Sequence, residues 1–312
     1  MNKAIILDVD GVIIGNKKGI NTPHPHPAVI SKLKEVRKSG IPIVLCTAKP
    51  AFAIDWEIKN AELNNPHIAD GGALLIDNKG IISKHYPINS NYASTIVKHM
   101  LKNNIYVEVY TSNDYFIDTK QKSDWTDKHT FVLQRNPQIV DNLENFAKNN
   151  IITKIMIIVA DETQKPIGDE HFSPFAENVN MIWAVHPPIL PLQFGFITAK
   201  GISKKQAVFD ISTLLNIPPE NILGVGDSTS DWQFIEECGY AATMGNAEPE
   251  LKEKVQSKVN KGFIGGHVND NGVIEIIDWF LTHHSSSLRE DVAKTSTKQS
   301  SDFKDVDINE TF

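Results

Sequence analysis

Two short apolar runs far apart in the chain each end in acidic residues, and this pattern constrains the fold more than any other feature. Residues 4–7 run directly into Asp8-Val9-Asp10-Gly11, and residues 222–225 run into Gly226-Asp227. Apolar runs of this length are typical of strands that are buried on both faces of a parallel sheet. Because sites in open α/β sheets lie at the carboxyl ends of strands, both acidic groups are expected at one edge.

The segments next to these runs predict helices and further strands. Residues 28–38 repeat apolar side chains at helical spacing, and residues 41–46 form a second buried strand, so the chain begins with a βαβ unit. The same alternation of helices and buried strands is predicted again later in the chain, as a helix at 204–216, a strand at 222–225, a helix at 231–239 and a strand at 241–244. We predict an α/β fold in which both parts share one doubly wound parallel sheet.

The segment between these two parts is predicted to be an inserted α/β cap domain. Its expected elements are helices at 92–102 and 138–149 and strands at 105–110, 115–118, 152–159 and 179–185. The stretch His186-Pro187-Pro188-Ile189-Leu190-Pro191 is typical of a stiff connector, and we place the second boundary there. The predicted domains are a core of residues 1–83 and 194–284, a cap of residues 84–193 and a disordered tail of residues 285–312.

Composition narrows the class of protein. The 312 residues are 41% hydrophobic and 22% charged, which is ordinary for a folded globular protein. The net charge of −7 argues against a nucleic-acid partner. No run approaches the ~20 apolar residues of a membrane span, and the first residues lack the long apolar region of a signal peptide. With two cysteines, too few to staple the chain, we expect a cytoplasmic protein with no membrane or nucleic-acid partner.

Four carboxylates at the strand ends predict a magnesium site. Asp8 and Asp10 are two residues apart on an extended chain, so both can face one pocket, and Asp227 and Asp231 are expected beside them. Like charges this close would raise at least one pKa sharply unless a cation relieved the repulsion. Because no convincing His or Cys cluster accompanies the acids, Mg²⁺ is the simplest cofactor.

Two further residues are suited to holding a phosphoryl group. Thr47 ends the second strand and offers its hydroxyl and the amides that follow it, including that of Ala48, while Lys204 stands at the start of a helix. An aspartate can itself be a nucleophile if metal and lysine neutralise the phosphoryl group. We predict that Asp8 attacks phosphorus and that Asp10 transfers the proton.

The motifs resemble those of a known superfamily. Four segments in chain order are similar to the motifs of the haloacid dehalogenase (HAD) phosphohydrolases: Asp8-Val9-Asp10-Gly11, Thr47-Ala48-Lys49, Gly201-Ile202-Ser203-Lys204 and Gly226-Asp227-Ser228-Thr229-Ser230-Asp231. Met244-Gly245-Asn246-Ala247 and Asn269-Asp270-Asn271-Gly272-Val273 resemble the Cof-type subfamily. That subfamily carries a large α/β cap, called type IIB, between its second and third motifs.

The resemblance implies a role for each matching residue. Asp8 would be the nucleophile and Asp10 the general acid and base. Mg²⁺ would be held by Asp8, the backbone carbonyl of Asp10 and Asp227, with Asp231 in support. The predicted phosphate-binding residues are Gly11, Thr47, Ala48, Lys204 and Asn246.

Three positions depart from the family pattern. Val12 stands where many members have threonine, Lys49 where the second motif usually has arginine, and Ser230 where the subfamily often has asparagine. The Ser230 change affects the expected geometry of the metal or its loop rather than the class of reaction.

The predicted function is Mg²⁺-dependent hydrolysis of a small phosphomonoester, such as a sugar phosphate, through an aspartyl-phosphate. A phosphosugar mutase would use the same residues, so product analysis must separate the two. A receiver-like sensor also combines acids, threonine and lysine, but receivers are much shorter and have no cap. A HAD scaffold that works as a binding protein through its tail is a further alternative, and the tail could contact a protein partner or export machinery.

Overall fold

The computed structural model describes residues 2–282, so the predicted tail at 285–312 lies outside the described residues. The strands are β1 (Ala4–Leu7), β2 (Ile43–Leu45), β3 (His67–Ala69), β4 (Leu74–Ile76), β5 (Ile82–His85), β6 (Tyr106–Tyr110), β7 (Tyr115–Asp118), β8 (Gln138–Val140), β9 (Lys154–Val159), β10 (Val179–Val185), β11 (Gln193–Ala199), β12 (Ile222–Gly226), β13 (Tyr240–Thr243) and β14 (Gly262–Ile264). The helices are α1 (Pro27–Lys38), α2 (Asp55–Asn60), α3 (Ser90–Lys102), α4 (Asp124–Leu133), α5 (Leu143–Asn149), α6 (Lys165–Phe172), α7 (Lys204–Leu215), α8 (Trp232–Ile235), α9 (Pro249–Ser257) and α10 (residues 273–282). Within this part of the chain, no helix combines the length and apolar character that a membrane span requires.

The strands that end in acidic residues lie in one five-stranded parallel sheet, which confirms the predicted doubly wound α/β fold. The strand order is β14-β13-β12-β1-β2, and every neighbouring pair is parallel. In β1, Ile5 and Leu7 face a core shared with α1, α2 and α10, whereas Ala4 and Ile6 face a core shared with α7, α8 and α9. The run is apolar throughout because both of its faces are buried.

The strand order opens a crevice between β1 and β12. The chain continues from β1 to β2 on one side of the sheet and from β12 to β13 on the other. A crevice forms at the carboxyl ends of the strands where connections diverge in this way. Asp8 follows β1, Asp227 follows β12 and Thr47 lies just beyond β2, so the topology collects these residues at one edge.

Lys204 reaches the same edge because α7 begins there. Ser203 is the N-cap residue, and its hydroxyl accepts a hydrogen bond from the backbone N–H of Gln206. A Cβ at Gly72 would lie 2.3 Å from the carbonyl oxygen of Ser203. Gly72, whose φ is +104°, therefore allows the start of α7 to approach the sheet edge.

The inserted segment builds a second sheet of six strands in the order β10-β11-β9-β6-β7-β8. One face packs against α3, α5 and α6, and the other face contacts the core segment that includes Ala48 and Phe52. The predicted cap boundary at residue 193 coincides with the first residue of β11, which pairs with β9 and β10. We therefore propose that the cap extends to Ala199, beyond the proline-rich stretch.

Some predicted elements differ from those in the structure. The predicted helix at 138–149 is wrong in its first part, because Gln138–Val140 pairs with β7 as strand β8. Asn142 then caps the shorter α5 by accepting a hydrogen bond from the Asn145 backbone N–H at 2.8 Å. Strand β4 belongs to a separate antiparallel sheet with β3 and β5 rather than to the parallel sheet. Helices α4 and α6 were not predicted, since they contain too few apolar residues to show a helical period.

A buried ion pair joins the cap to the core. Lys154 of β9 lies 2.9 Å from Asp70, and neither side chain is exposed. The Lys154 ammonium also donates a hydrogen bond to the backbone oxygen of Ala48 at 2.8 Å and lies 4.3 Å from the centre of the Tyr110 ring. Burial raises the pKa of Asp70, and Lys154 opposes that rise. This cap lysine therefore holds the backbone next to Thr47.

Replacing Lys154 with methionine is expected to lower the free energy of unfolding by about 3–5 kcal/mol, because it leaves Asp70 buried without a partner. Urea unfolding followed by circular dichroism measures the change. The double variant Asp70→Asn/Lys154→Met is the control and should be more stable than Lys154→Met, since it leaves no buried charge and asparagine tolerates the positive φ of 51° at this position. Equal stability of Lys154→Met and the unmodified protein would contradict this account.

Candidate active site

Lys204 connects the acidic residues of two strand ends. Its Nζ lies 2.5 Å from Asp8 Oδ1 and 2.7 Å from Asp231 Oδ1. All three residues are buried. Three of the predicted site residues, from segments far apart in the chain, are thus in direct contact.

Asp231 organises the loop that follows β12. Its Oδ2 accepts hydrogen bonds from the backbone N–H groups of Asp227 at 3.2 Å and Ser228 at 3.1 Å, and from the Ser228 hydroxyl at 3.0 Å. Ser230, at a position that departs from the family pattern, pairs its hydroxyl with that of Ser228 at 2.7 Å. Both oxygens of Asp231 are therefore engaged in protein contacts that orient Asp227.

The side chains of Asp8, Asp227 and Asp231 form a cluster that could bind a metal ion. One oxygen from each lies within 4.8 Å of the others. The donors are all carboxylate oxygens, which suit a hard cation such as Mg²⁺. Among residues 2–282, nothing hydrogen-bonds Asp8 Oδ2 or Asp227 Oδ1, so these oxygens are available, whereas Asp231 is a supporting residue.

Burial dominates the electrostatics of the cluster. It raises the pKa of Asp8 to about 7, against the opposing effect of Lys204. Burial also raises the pKa of Asp227 to about 8, and the carboxylates of Asp8 and Asp231 add to that rise. Burial works against the charged form of Lys204 as well, but Asp231 and Asp8 outweigh it and hold the lysine pKa well above its usual value. The cluster therefore favours a bound cation or proton.

Asp10 is paired with Lys49. The lysine Nζ lies 2.7 Å from Asp10 Oδ1, and Lys49 is buried. Burial alone would raise the pKa of Asp10, but Lys49 outweighs it and holds the pKa below its usual value. Sequence reasoning noted Lys49 only as a departure from the family pattern. Its position two residues after Thr47 was the available clue to this role.

Gly11 and Asn246 lie against Asp227. Gly11 has a φ of +79°, and a Cβ there would lie 1.8 Å from Asp227 Oδ2, so the position requires glycine. The Asn246 amide donates to the Gly11 carbonyl oxygen at 2.9 Å and contacts Asp227 Oδ2 at 3.4 Å. Its Oδ1 accepts a hydrogen bond from the Val268 backbone N–H at 2.8 Å. In these contacts Asn246 positions the loop around the acids.

Thr47 and Ala48 lie at the end of β2 with their backbone fixed. The Thr47 hydroxyl oxygen accepts a hydrogen bond from the Lys49 backbone N–H at 3.1 Å, and its own hydrogen is free to point elsewhere. The Thr47 carbonyl accepts from the Gly71 N–H at 3.0 Å. The remaining family departure, Val12, is a buried core residue and takes no part in these contacts.

Two cavities meet at this site. The larger has a volume of about 560 Å³ and is lined by Asp8, Thr47 and Lys204, with residues of β10 on the cap side. The smaller, about 230 Å³, lies between the loop after β1 and helix α4. The residues that line both cavities are Asp10, Gly11, Lys49, His186, Asp227 and Asn246. Sequence reasoning missed His186, because a histidine before prolines reads only as part of a connector.

Comparison with known proteins identifies the family. The model of the haloacid dehalogenase-like hydrolases matches residues 5–277. The phosphatase YwpJ of Bacillus subtilis is 24% identical over 276 residues, which cover 80% of this chain and 92% of YwpJ. The 5-amino-6-(5-phospho-D-ribitylamino)uracil phosphatase YwtE of the same organism is 24% identical over 305 residues, covering 90% of this chain and 98% of YwtE.

Solved structures support the same assignment at the level of the fold. A haloacid dehalogenase-like hydrolase from Bacteroides thetaiotaomicron superposes with a TM-score of 0.76 at 17% identity, over 89% of this chain and 99% of that protein. The HAD subclass IIB sugar phosphatase BT4131 superposes with a TM-score of 0.72 at 16% identity, over 89% and 99% of the two chains. With the four motifs in place at the sheet edge, the chain belongs to the haloacid dehalogenase-like hydrolases and is a phosphatase of the Cof type.

Proposed function

We propose that the protein hydrolyses a small phosphomonoester through an aspartyl-phosphate on Asp8, with Mg²⁺ as cofactor. The observation that carries the proposal is the convergence of Asp8 with Lys204 beside Asp227 in a buried cluster that opens into a cavity. A buried lysine next to an aspartate is suited to neutralise an incoming phosphoryl group, which otherwise repels a carboxylate nucleophile.

The first half of the reaction forms the covalent intermediate. Asp8 Oδ2 attacks phosphorus, the ester P–O bond breaks, and protonated Asp10 gives its proton to the departing oxygen. Lys49 favours the deprotonated form of Asp10. The incoming phosphoryl group must therefore draw Lys49 away from Asp10, so that the acid can carry a proton at this stage.

The second half releases phosphate. Asp10, now a carboxylate, removes a proton from water while the water oxygen attacks phosphorus and the Asp8–phosphorus bond breaks. Inorganic phosphate leaves, Asp8 is again a carboxylate and Asp10 is again protonated. Lys204 and the Thr47 hydroxyl bind the non-bridging oxygens in both halves, with the backbone at Gly11 and Ala48 and the side chain of Asn246 nearby.

Mg²⁺ would be held by the available carboxylate oxygens of Asp8 and Asp227 and by the backbone carbonyl of Asp10. When bound, it neutralises negative charge on the phosphoryl oxygens. Asp231 keeps Asp227 and Lys204 in place through the hydrogen bonds described above. Burial raises the pKa values of both Asp8 and Asp227, so these two carboxylates would favour a bound cation.

The substrate class is proposed from the cavity and the relatives. A cavity of about 560 Å³ suits a small metabolite rather than a macromolecule. YwtE is named for a phosphorylated ribityl compound and BT4131 as a sugar phosphatase. We propose a sugar phosphate or a similar phosphorylated metabolite, acted on in the cytoplasm.

Phosphate release from a panel of phosphorylated metabolites, with MgCl₂ or with EDTA, tests the proposal. We expect inorganic phosphate and free alcohol only in the presence of Mg²⁺. A phosphorylated isomer without free phosphate would instead identify the mutase alternative. The absence of turnover with every ester, including p-nitrophenyl phosphate, would favour the binding-protein alternative.

The stability of the metal-free protein is expected to fall as the pH rises from 6 to 9. The pKa values of Asp8 and Asp227, about 7 and about 8, lie above those of the unfolded chain. Their contribution to stability is therefore complete below the unfolded pKa and is lost as the pH passes through the folded values. Mg²⁺ should raise the melting temperature more at pH 9 than at pH 6, because it no longer has to displace protons.

Differential scanning calorimetry at both pH values, with and without MgCl₂, measures these shifts. The control variant Asp227→Asn removes one titrating group and one proposed ligand, so both the pH effect and the Mg²⁺ effect should shrink. A full Mg²⁺ shift in Asp227→Asn would place the metal elsewhere.

A further inference from the structure

His186 is a buried polar residue that the reaction described above does not use. It is 9% exposed, and neither of its ring nitrogens has a hydrogen-bond partner among residues 2–282. It lines both cavities, together with Asp10. A polar side chain that lines a cavity and has no protein partner is available to hydrogen-bond a ligand there.

The His186 ring is held in place by its neighbours. It packs edge-on against Phe194 with ring centres 4.8 Å apart, and its centre lies 5.7 Å from that of His129. His129 Nδ1 is itself 2.9 Å from a carboxylate oxygen of buried Glu108, which also accepts a hydrogen bond from the Tyr110 hydroxyl. This packing presents the ring to the cavities in a defined orientation, which a residue that recognises substrate needs.

The ring is suited to a neutral partner. Burial, above all, lowers the pKa of His186 to about 3, so the imidazole is uncharged and has one N–H donor and one nitrogen acceptor. A hydroxyl group matches this ring. Its oxygen can accept a hydrogen bond from the imidazole N–H, or its O–H can donate one to the unprotonated ring nitrogen. A phosphoryl oxygen is a poorer match, because it needs cations such as Lys204.

Asp10 lies where the two cavities meet. Asp8, Thr47 and Lys204, which we propose hold the phosphoryl group, line only the larger cavity. The smaller cavity contains Ile14, Phe131 and Val132 as apolar lining and shares Asp10 and His186 with the larger one. A leaving group that extends past Asp10 into the smaller cavity therefore enters a space that His186 also lines, and the volume of about 230 Å³ suits a short carbon chain.

We propose that His186 hydrogen-bonds a hydroxyl group on the leaving group and selects phosphate esters of short polyols over those of simple alcohols. The inference rests on the proposed function. His186 acts here as a specificity residue that contacts the substrate, while Glu108 and His129 act only through its position.

A matched pair of substrates isolates the hydroxyl contact. Glycerol 3-phosphate and n-propyl phosphate have the same three-carbon chain and differ only in their hydroxyl groups. The ratio of their kcat/KM values should favour glycerol 3-phosphate in the unmodified protein. His186→Phe should lower that ratio about tenfold, the size of one lost hydrogen bond to a buried group. His186→Asn, which keeps a donor and an acceptor, should retain part of the preference.

His99→Phe is the control, because His99 lies on α3 against the opposite face of the same sheet, and its ratio should match that of the unmodified protein. An equal fall for both substrates in His186→Phe would show a merely structural role and overturn the proposal. The proposal also fails if the unmodified protein does not prefer glycerol 3-phosphate.

A binding measurement separates this proposal from the proposed function. Calorimetric titration of Asp8→Asn with each ester requires no turnover. Glycerol 3-phosphate should bind more tightly than n-propyl phosphate. In the double variant Asp8→Asn/His186→Phe, the ratio of the two dissociation constants should move about tenfold towards equal binding. If this preference is present while no ester is hydrolysed by the unmodified protein, the hydrolase proposal fails and the His186 contact stands. If the protein hydrolyses the esters but does not bind glycerol 3-phosphate more tightly, the hydrolase proposal stands and the His186 contact fails.

Discussion

Asp8→Asn is expected to reduce turnover of p-nitrophenyl phosphate by at least about 10⁴-fold, because an amide cannot replace the carboxylate as nucleophile. The variant should remain folded. The pKa of Asp8 is raised to about 7 by burial, so the folded protein already tolerates a neutral group at this position. Phosphate release with saturating MgCl₂ measures the loss, and a melting curve checks the fold.

Asp55→Asn provides the matched control. It makes the same chemical change at a half-exposed position of helix α2, where, among residues 2–282, Asp55 forms an ion pair with Lys59 alone, one turn away. Its activity should equal that of the unmodified protein. Mass spectrometry of acid-quenched reactions should find a phosphoryl group on the peptide that contains Asp8. Full Mg²⁺-dependent activity in Asp8→Asn would falsify the assignment of the nucleophile.

Lys204→Met is expected to lower both activity and stability. The ammonium contacts Asp8 and Asp231 at once, so its removal leaves two buried carboxylates without a counter-charge. We expect kcat/KM to fall by about 10²–10³-fold through the lost phosphoryl contact, and the free energy of unfolding to fall by about 3–5 kcal/mol. Steady-state kinetics and urea unfolding measure the two effects separately.

The next residue in the chain offers the control for this variant. Lys205 is exposed and pairs with Glu236 and Glu237 on the surface, where ion pairs contribute little. Lys205→Met should therefore leave both kcat/KM and the unfolding midpoint unchanged. Comparable losses of kcat/KM and stability in Lys204→Met and Lys205→Met would mean that the buried contacts of Lys204 do not cause these losses.

The relation between Lys49 and Asp10 illustrates where motif reasoning stops. The chain has lysine where the family pattern usually has arginine, and the sequence alone assigns no function to this lysine. In the structure Lys49 is the ion-pair partner of Asp10 at 2.7 Å. Whether a residue beside a motif contacts it depends on how the chain turns after β2, which local periodicity does not describe.

The cap shows the same limit. The existence of the cap could be predicted from the different pattern of helices and strands between the second and third motifs. Strand β11 could not be assigned to it, because this strand lies beyond a proline-rich stretch that resembles a domain boundary. The short strand β8 was read as part of a helix, since three residues carry too few periods to distinguish the two. Its pairing with β7 is a tertiary contact.

The sequence by itself determined the parallel α/β core, because strands buried on both faces must be continuously apolar, and it identified the acids that end two of them. It also determined the family, through four motifs in order. Only the tertiary structure decided which side chains touch: Lys204 between Asp8 and Asp231, Lys49 on Asp10, and His186 at the junction of two cavities. The physical reason is that local patterns report which face of an element is buried, whereas contacts between elements depend on the packing of segments far apart in the chain.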